Sequence, residues 1–161
     1  MKILVFSDSH GKAENMMTAI DRHYPDIDLI IHLGDGAREF EYLHEIYPRA
    51  DFFGVRGNCD FGDMSGLMKT NILELDNKRI LCTHGHEFYV KQSYNVLYDT
   101  AVEKKCDIAL FGHTHIFCKE YFPENNLYLF NPGSISLGYP KCSFGLIEIT
   151  DKGVMLNHAI I

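Results

Sequence analysis

Apolar and polar positions follow two rhythms along this chain, and its first half switches between them in a fixed order. Lys2 to Phe6 is an apolar run too short for a helix and reads as a buried strand. Ala13, Met16, Met17 and Ile20 then recur at helical spacing up to Tyr24-Pro25, where the proline stops the helix. Asp28 to Leu33 is a second strand, ending in Gly34-Asp35-Gly36. Phe40, Leu43 and Tyr47 mark a second helix closed by Pro48, and Asp51 to Val55 is a third strand running into Arg56-Gly57-Asn58-Cys59-Asp60. Strands alternating with helices in this order predict parallel pairing through right-handed crossovers.

The second half contains more hairpins. Asn71 to Leu75 and Lys78 to Thr83 flank the turn dipeptide Asp76-Asn77, and the second of these strands runs into His84-Gly85-His86. Val90, Tyr94, Leu97, Tyr98 and Ala101 fall on one helical face, and Asp107 to Phe111 is a short buried strand ending at Gly112. Ile116 to Phe122 and Leu127 to Phe130 flank one turn segment, and Ser143 to Thr150 and Val154 to Ile160 flank another. The expected architecture is α/β: two packed sheets with helices outside, in one domain over residues 1–161.

Composition narrows the function classes. An apolar share of 46% and a charged share of 23% describe a globular chain, and polar residues interrupt every apolar run. None reaches the roughly 20 residues that a bilayer requires, so no membrane partner is expected. Five cysteines with no Cys-x-x-Cys pair point to a reducing cytoplasm rather than a disulfide framework or zinc finger. A formal charge of −7 disfavours a stable nucleic-acid partner. It leaves room for a phosphorylated small molecule, because bound cations reverse the local field.

The candidate chemistry lies where strands end. Asp8-Ser9-His10, Gly34-Asp35, Gly57-Asn58, His84-Gly85-His86 and Gly112-His113-Thr114-His115 each follow an apolar run. Ligands in open α/β sheets gather at the carboxyl ends of strands, so these five loops are expected to share one rim. In an extended chain His113 and His115 face one side, with Thr114 turned away. A single Gly-Asp after a strand is an ordinary turn, but turn chemistry does not call for four histidines in this order. Carboxylates (Asp8, Asp35), imidazoles (His10, His84, His113, His115) and the Asn58 amide exceed the needs of one four-coordinate zinc and suit two cations sharing a bridge. Asp35 is the candidate bridge. Such a pair, roughly 3.5 to 4 Å apart, acidifies a bridging water and neutralises phosphoryl charge, which predicts phosphoester hydrolysis.

The order Asp-x-His, Gly-Asp, Gly-Asn, His, Gly-His-x-His resembles the calcineurin-like metallophosphoesterase superfamily. Gly57-Asn58-Cys59-Asp60 and Asn131-Pro132-Gly133-Ser134 resemble its small prokaryotic phosphodiesterases, and the likeness spans residues 3 to about 149. The resemblance implies a four-layer α/β/β/α sandwich of two mixed sheets flanked by helices. It also implies a phosphodiesterase using two divalent cations, manganese first, with nickel, zinc or iron as others, and attack by a metal-bridging hydroxide. Carried over by position, Asp8, His10 and His115 hold one metal, Asn58, His84 and His113 the other, and Asp35 bridges.

Cys59 departs from the family pattern, in which many members carry a histidine, oriented by the next acidic residue, that protonates the leaving group or binds phosphate. A neutral thiol is a poorer proton donor near neutrality, which suggests good leaving groups or a proton delivered through water, and leaves Asp60 without its usual partner. The expected catalytic residues are Asp35, Asn58, Cys59 and Asp60. Arg56 is either a phosphate clamp or a strand-end ion-pair partner, and His86 either orients substrate or is a hydrogen-bonded loop histidine. His23, His32, His44 and His158 read as structural or solvent-facing, Ser7 and Ser9 as loop residues, and Asn131 to Ser134 as a type II turn. The expected partner is a small phosphoester, with a homo-oligomer left open. The alternative function is a non-catalytic interaction scaffold like the retromer's phosphoesterase-like subunit, in which ligand positions are altered.

Overall fold

Why the chain builds two sheets is visible in the alternation of its first strand. In the computed structural model, which describes residues 1–61 and 66–161, β1 (Lys2–Phe6) sends Ile3 and Val5 to one face and Leu4 and Phe6 to the other. All four are buried, so both faces must be covered. The covering elements follow in order: α1 (Ala13–Asp21), β2 (Leu29–His32), α2 (Ala37–Ile46) and β3 (Asp51–Gly54). β1, β2 and β3 pair in parallel, as the alternation with helices predicts.

The later elements are β4 (Thr70–Leu75), β5 (Lys78–Thr83), α3 (Asn95–Glu103), β6 (Ile108–Leu110), β7 (Cys118–Phe122), β8 (Leu127–Asn131), β9 (Ser143–Thr150) and β10 (Gly153–Ile160). They complete two five-stranded mixed sheets, ordered β10-β9-β1-β2-β3 and β4-β5-β6-β8-β7. Ile3, Val5, Ile31 and Leu33 of the first sheet pack against Ile80, Ile108, Leu110 and Phe130 of the second. On the outer face of the first, Leu4, Phe6 and Ile30 meet Met16 and Ile20 of α1 and Leu43 of α2. On the outer face of the second, Leu81, Ala109 and Leu129 meet Leu97 and Ala101 of α3. The layers are therefore helix, sheet, sheet, helix, as expected from the sequence.

Two details depart from the sequence reading. The helix expected from Val90 begins at Asn95, after a single 3-10 turn at His86–Phe88. Gly85 (φ 103°) and Tyr89 (φ 54°) adopt left-handed backbone around that turn, which breaks helical continuity although Val90 still packs with Leu97. His113 and His115 are not in extended chain: both are left-handed, at φ 68° and 61°. The period-two argument for their shared side therefore does not apply, and another geometry brings them together.

Phe130 joins the two sheets. It is fully buried between the sheets and lies flat on His158 of β10, ring centroids 4.5 Å apart, while His158 Nε2 lies 2.8 Å from the Asn131 carbonyl oxygen. Gly145 of β9 makes room for its ring, since a Cβ there would meet the Phe130 ring edge at 2.6 Å. Phe130→Ala is expected to cost about 3–5 kcal/mol, read as a lower urea midpoint by circular dichroism.

Candidate metal centre

The carboxyl ends of β1, β2, β3, β5 and β6 deliver the five predicted loops to one place. Asp8 N–H donates to the Gly34 carbonyl and His10 N–H to the Asp35 carbonyl, each at 3.0 Å. Gly112 N–H donates to the His84 carbonyl at 3.0 Å, and His113 N–H crosses between the sheets to Asp8 Oδ2 at 3.0 Å. Two glycines permit this approach. A Cβ on Gly57 would overlap Asp35 Oδ1, and one on Gly112 would overlap Ser7 Oγ.

Seven predicted ligands converge there in two groups. Asp8, His10 and His115 place one ligand atom each within 4.8 Å of one another, and so do Asp35, His84 and His113. Asn58 Oδ1 joins the second group, 3.2 Å from His84 Nε2. Asp35 Oδ2 lies 3.4 Å from His84 Nε2 and 3.9 Å from His10 Nε2, so one carboxylate reaches both groups. Asp8, His10, Asp35, His113 and His115 all have left-handed backbone, with φ between 42° and 68°. That costs of order 1–3 kcal/mol per residue, which the surroundings must offset for it to persist, and such clustering marks functional sites.

The donor set fits divalent cations on the evidence of its own unmet contacts. Asp8 Oδ2 is satisfied by Ser7 Oγ at 2.6 Å and His113 N–H, but the buried Oδ1 has no hydrogen-bond partner. That oxygen faces His115 Nε2 at 3.1 Å and His10 and His84 Nε2 at 3.9 Å. His10 and His115 point Nε2 atoms at each other across 3.4 Å, and His113 Nδ1 faces His84 Nε2 across 3.2 Å. Facing ring nitrogens repel unless a proton or a cation sits between them.

His84 Nδ1–H donates to the Leu33 carbonyl at 2.7 Å, so its Nε2 is the atom aimed inward. Burial opposes a charge on His84, but Asp35 and Asp8 outweigh it and raise its pKa. Burial alone would also raise Asp35 and Asp8. The histidines beside them prevail, and both carboxyls are held below the usual range. His113, burdened by desolvation and the neighbouring His84 charge, falls to about 4.

The supporting residues were less legible. Asp60 faces backbone: its two oxygens accept N–H bonds from Asp35, Gly36, Ala37 and Gly57 at 2.8–2.9 Å. It thereby ties the β2 loop to the β3 loop and caps the start of α2. Ser9, read as a loop residue, is fully buried, with Oγ 3.1 Å from His32 Nε2. Gly34 N–H donates to His32 Nδ1, so Nε2 carries the ring proton toward Ser9, which donates its own to Glu39. Glu39 also accepts Gly11 N–H. Asn131 orients the histidine loop through Gly112 O and Thr114 Oγ1, while Ser134 and Ser136 both donate to the Asp8 carbonyl at 2.8 Å. Gly133 at φ 78° agrees with the predicted type II turn.

Cys59 N–H donates to Asp35 Oδ1 at 2.7 Å, and its thiol, pushed up to about 11 by desolvation and then by Asp35, is exposed. A cavity of about 380 Å³ opens beside it, lined by His10, Gly11, Asp35, Arg38, Cys59 and Phe61. His86 stands next to His84 and His113, ring centroids 5.4 and 6.1 Å away, with a buried Nδ1 lacking any partner. Arg56 does not line the cavity. The basic side chain that does line it is Arg38, which nothing in the sequence singles out.

Residues 1–152 match the calcineurin-like phosphoesterase superfamily domain. The chain belongs to that superfamily. A probable metallophosphoesterase of Bacillus subtilis, YsnB, is 39% identical over 139 residues, covering 85% of this chain and 76% of the relative. The phosphodiesterase YfcE of Escherichia coli is 29% identical, over 70% of this chain and 59% of its own length. Among solved structures, a predicted phosphoesterase from Streptococcus pneumoniae superposes with a TM-score of 0.83 at 29% identity, covering 99% of this chain and 88% of that one.

Removing the Asp60 carboxylate should loosen both loops together. Asp60→Ala is expected to lower stability by on the order of 3 kcal/mol and to weaken manganese binding, measured by thermal melting and by titration. Asp60→Asn, which keeps one acceptor oxygen, should lose less of each.

Proposed function

We propose that this chain is a phosphodiesterase using two divalent cations and acting on small phosphodiesters. The observation that carries the reading is the unpartnered, buried Asp8 Oδ1 at the meeting point of two ligand groups that share Asp35. In it, Asp8, His10 and His115 hold one cation, and Asn58, His84 and His113 the other. A pair of such ions supplies an activated water and neutralises charge on the phosphoryl group. Mixed oxygen and nitrogen donors suit manganese and accept nickel, zinc or iron.

The remaining residues act on the substrate. His86, beside His84 and His113, orients the substrate next to the second ligand group. The cavity next to Cys59 takes the organic substituent, and its size falls in the ordinary range for small ligands. Arg38 lines that cavity and supplies the positive charge for an anionic substituent there. Asp60, engaged with four backbone N–H groups, positions Asp35 and leaves the proton for the leaving group to water or Cys59. No helix among the described residues is long and apolar enough to cross a membrane, and five free cysteines suit the reducing cytoplasm. Retention of all seven ligand positions favours catalysis over the scaffold alternative.

The test is hydrolysis of bis-p-nitrophenyl phosphate with manganese added and then removed by a chelator. Activity should appear with the metal, vanish with the chelator, and fall at least about a hundredfold in Asp35→Ala while that variant keeps its circular dichroism spectrum. Absence of hydrolysis with every divalent cation would favour the scaffold.

A further inference from the structure

One metal-competent atom at the rim belongs to neither ligand group. Cys59 follows Asn58, its backbone is pinned by the bond to Asp35 Oδ1, and its Sγ accepts from Asn58 Nδ2 at 3.3 Å. Asn58 is thus oriented with its carbonyl toward His84 and its NH2 toward the sulfur. His10, Asp35 and Cys59 each place a ligand atom within 4.8 Å of the others, the same span as in the two groups described above. Among the described residues, Cys59 is the only cysteine found in such a group. This third set draws His10 from one group and the shared Asp35 from the centre, and adds a sulfur.

From this geometry we infer that Cys59 is a further metal ligand, closing with His10 and Asp35 on a thiophilic cation such as cobalt(II) or cadmium. The inference rests on the reading of the surrounding loops as a metal centre. Thiolate sulfur favours soft and borderline ions, while carboxylate and imidazole accept the harder manganese. The thiol proton passes to solvent as the sulfur–metal bond forms, and no electron is transferred. A histidine or serine at this position would not confer the same preference. The consequence is selection among metals: an ion held by Cys59 occupies His10 and Asp35 and withdraws both from the paired arrangement that the proposed reaction needs.

The test is a cobalt(II) titration of the full chain followed by absorption spectroscopy. Wild-type protein should develop a near-ultraviolet sulfur-to-cobalt charge-transfer band together with the visible bands of bound cobalt. Cys59→Ser should keep the visible bands and lose the charge-transfer band. Competition titrations should show cadmium affinity reduced at least about tenfold in Cys59→Ser, with manganese affinity changed less than about twofold. Cobalt bound to wild type without a charge-transfer band would overturn the inference, as would a band that persists in the variant. Failure of both proteins to bind cobalt and manganese would instead overturn the metal-centre reading beneath it.

Discussion

Crowded lone pairs set the terms for this molecule. Two carboxylates, four imidazoles and an amide oxygen face one another at 3.1–3.9 Å, in a space where Asp8 Oδ1 has no donor and two pairs of ring nitrogens oppose each other. An arrangement like this repels itself unless positive charge lies among its members. Asp35 and Asp8 answer part of that demand by favouring the charged form of His84, whose pKa they raise against the effect of burial. Divalent cations would satisfy the same demand more completely, because each can meet several donors at once.

The fold exists at this point as a device for holding the crowd in place. Parallel strands in each sheet end on the same side, and packing of β1 on both faces holds the two sheets together behind that edge. The left-handed conformations of five ligands would relax if the loops were free. They are held by bonds that are not themselves metal contacts: Asp60 to four backbone N–H groups, Asn131 to the histidine loop, Ser134 and Ser136 to the Asp8 carbonyl. Ser9, His32 and Glu39 do the same beneath His10.

The convergence of these side chains was legible in the sequence because their chemistry is costly to place without purpose. Four histidines after three strand ends cannot be reduced to turn preference, and the alternation of apolar residues gave the layers. What escaped was whatever depends on partners distant in sequence. Asp60 sits next to Cys59 and so reads as its companion, yet the structure spends its oxygens on amides contributed mainly by the preceding β2 loop. Nothing local announces that Glu39 in the first turn of α2 will reach Ser9, or that Arg38 rather than Arg56 will face the cavity. The late start of α3 escaped for the opposite reason, since Val90 keeps helical spacing while Tyr89 turns the backbone the other way.

The measurement that addresses the central claim most directly is anomalous diffraction from crystals grown with manganese. Two peaks roughly 3.5 to 4 Å apart are expected, with Asp35 contacting both and Asp8 Oδ1 on the ion held by His10 and His115. A single peak, or peaks that leave Asp35 and Asp8 without a metal contact, would contradict the account.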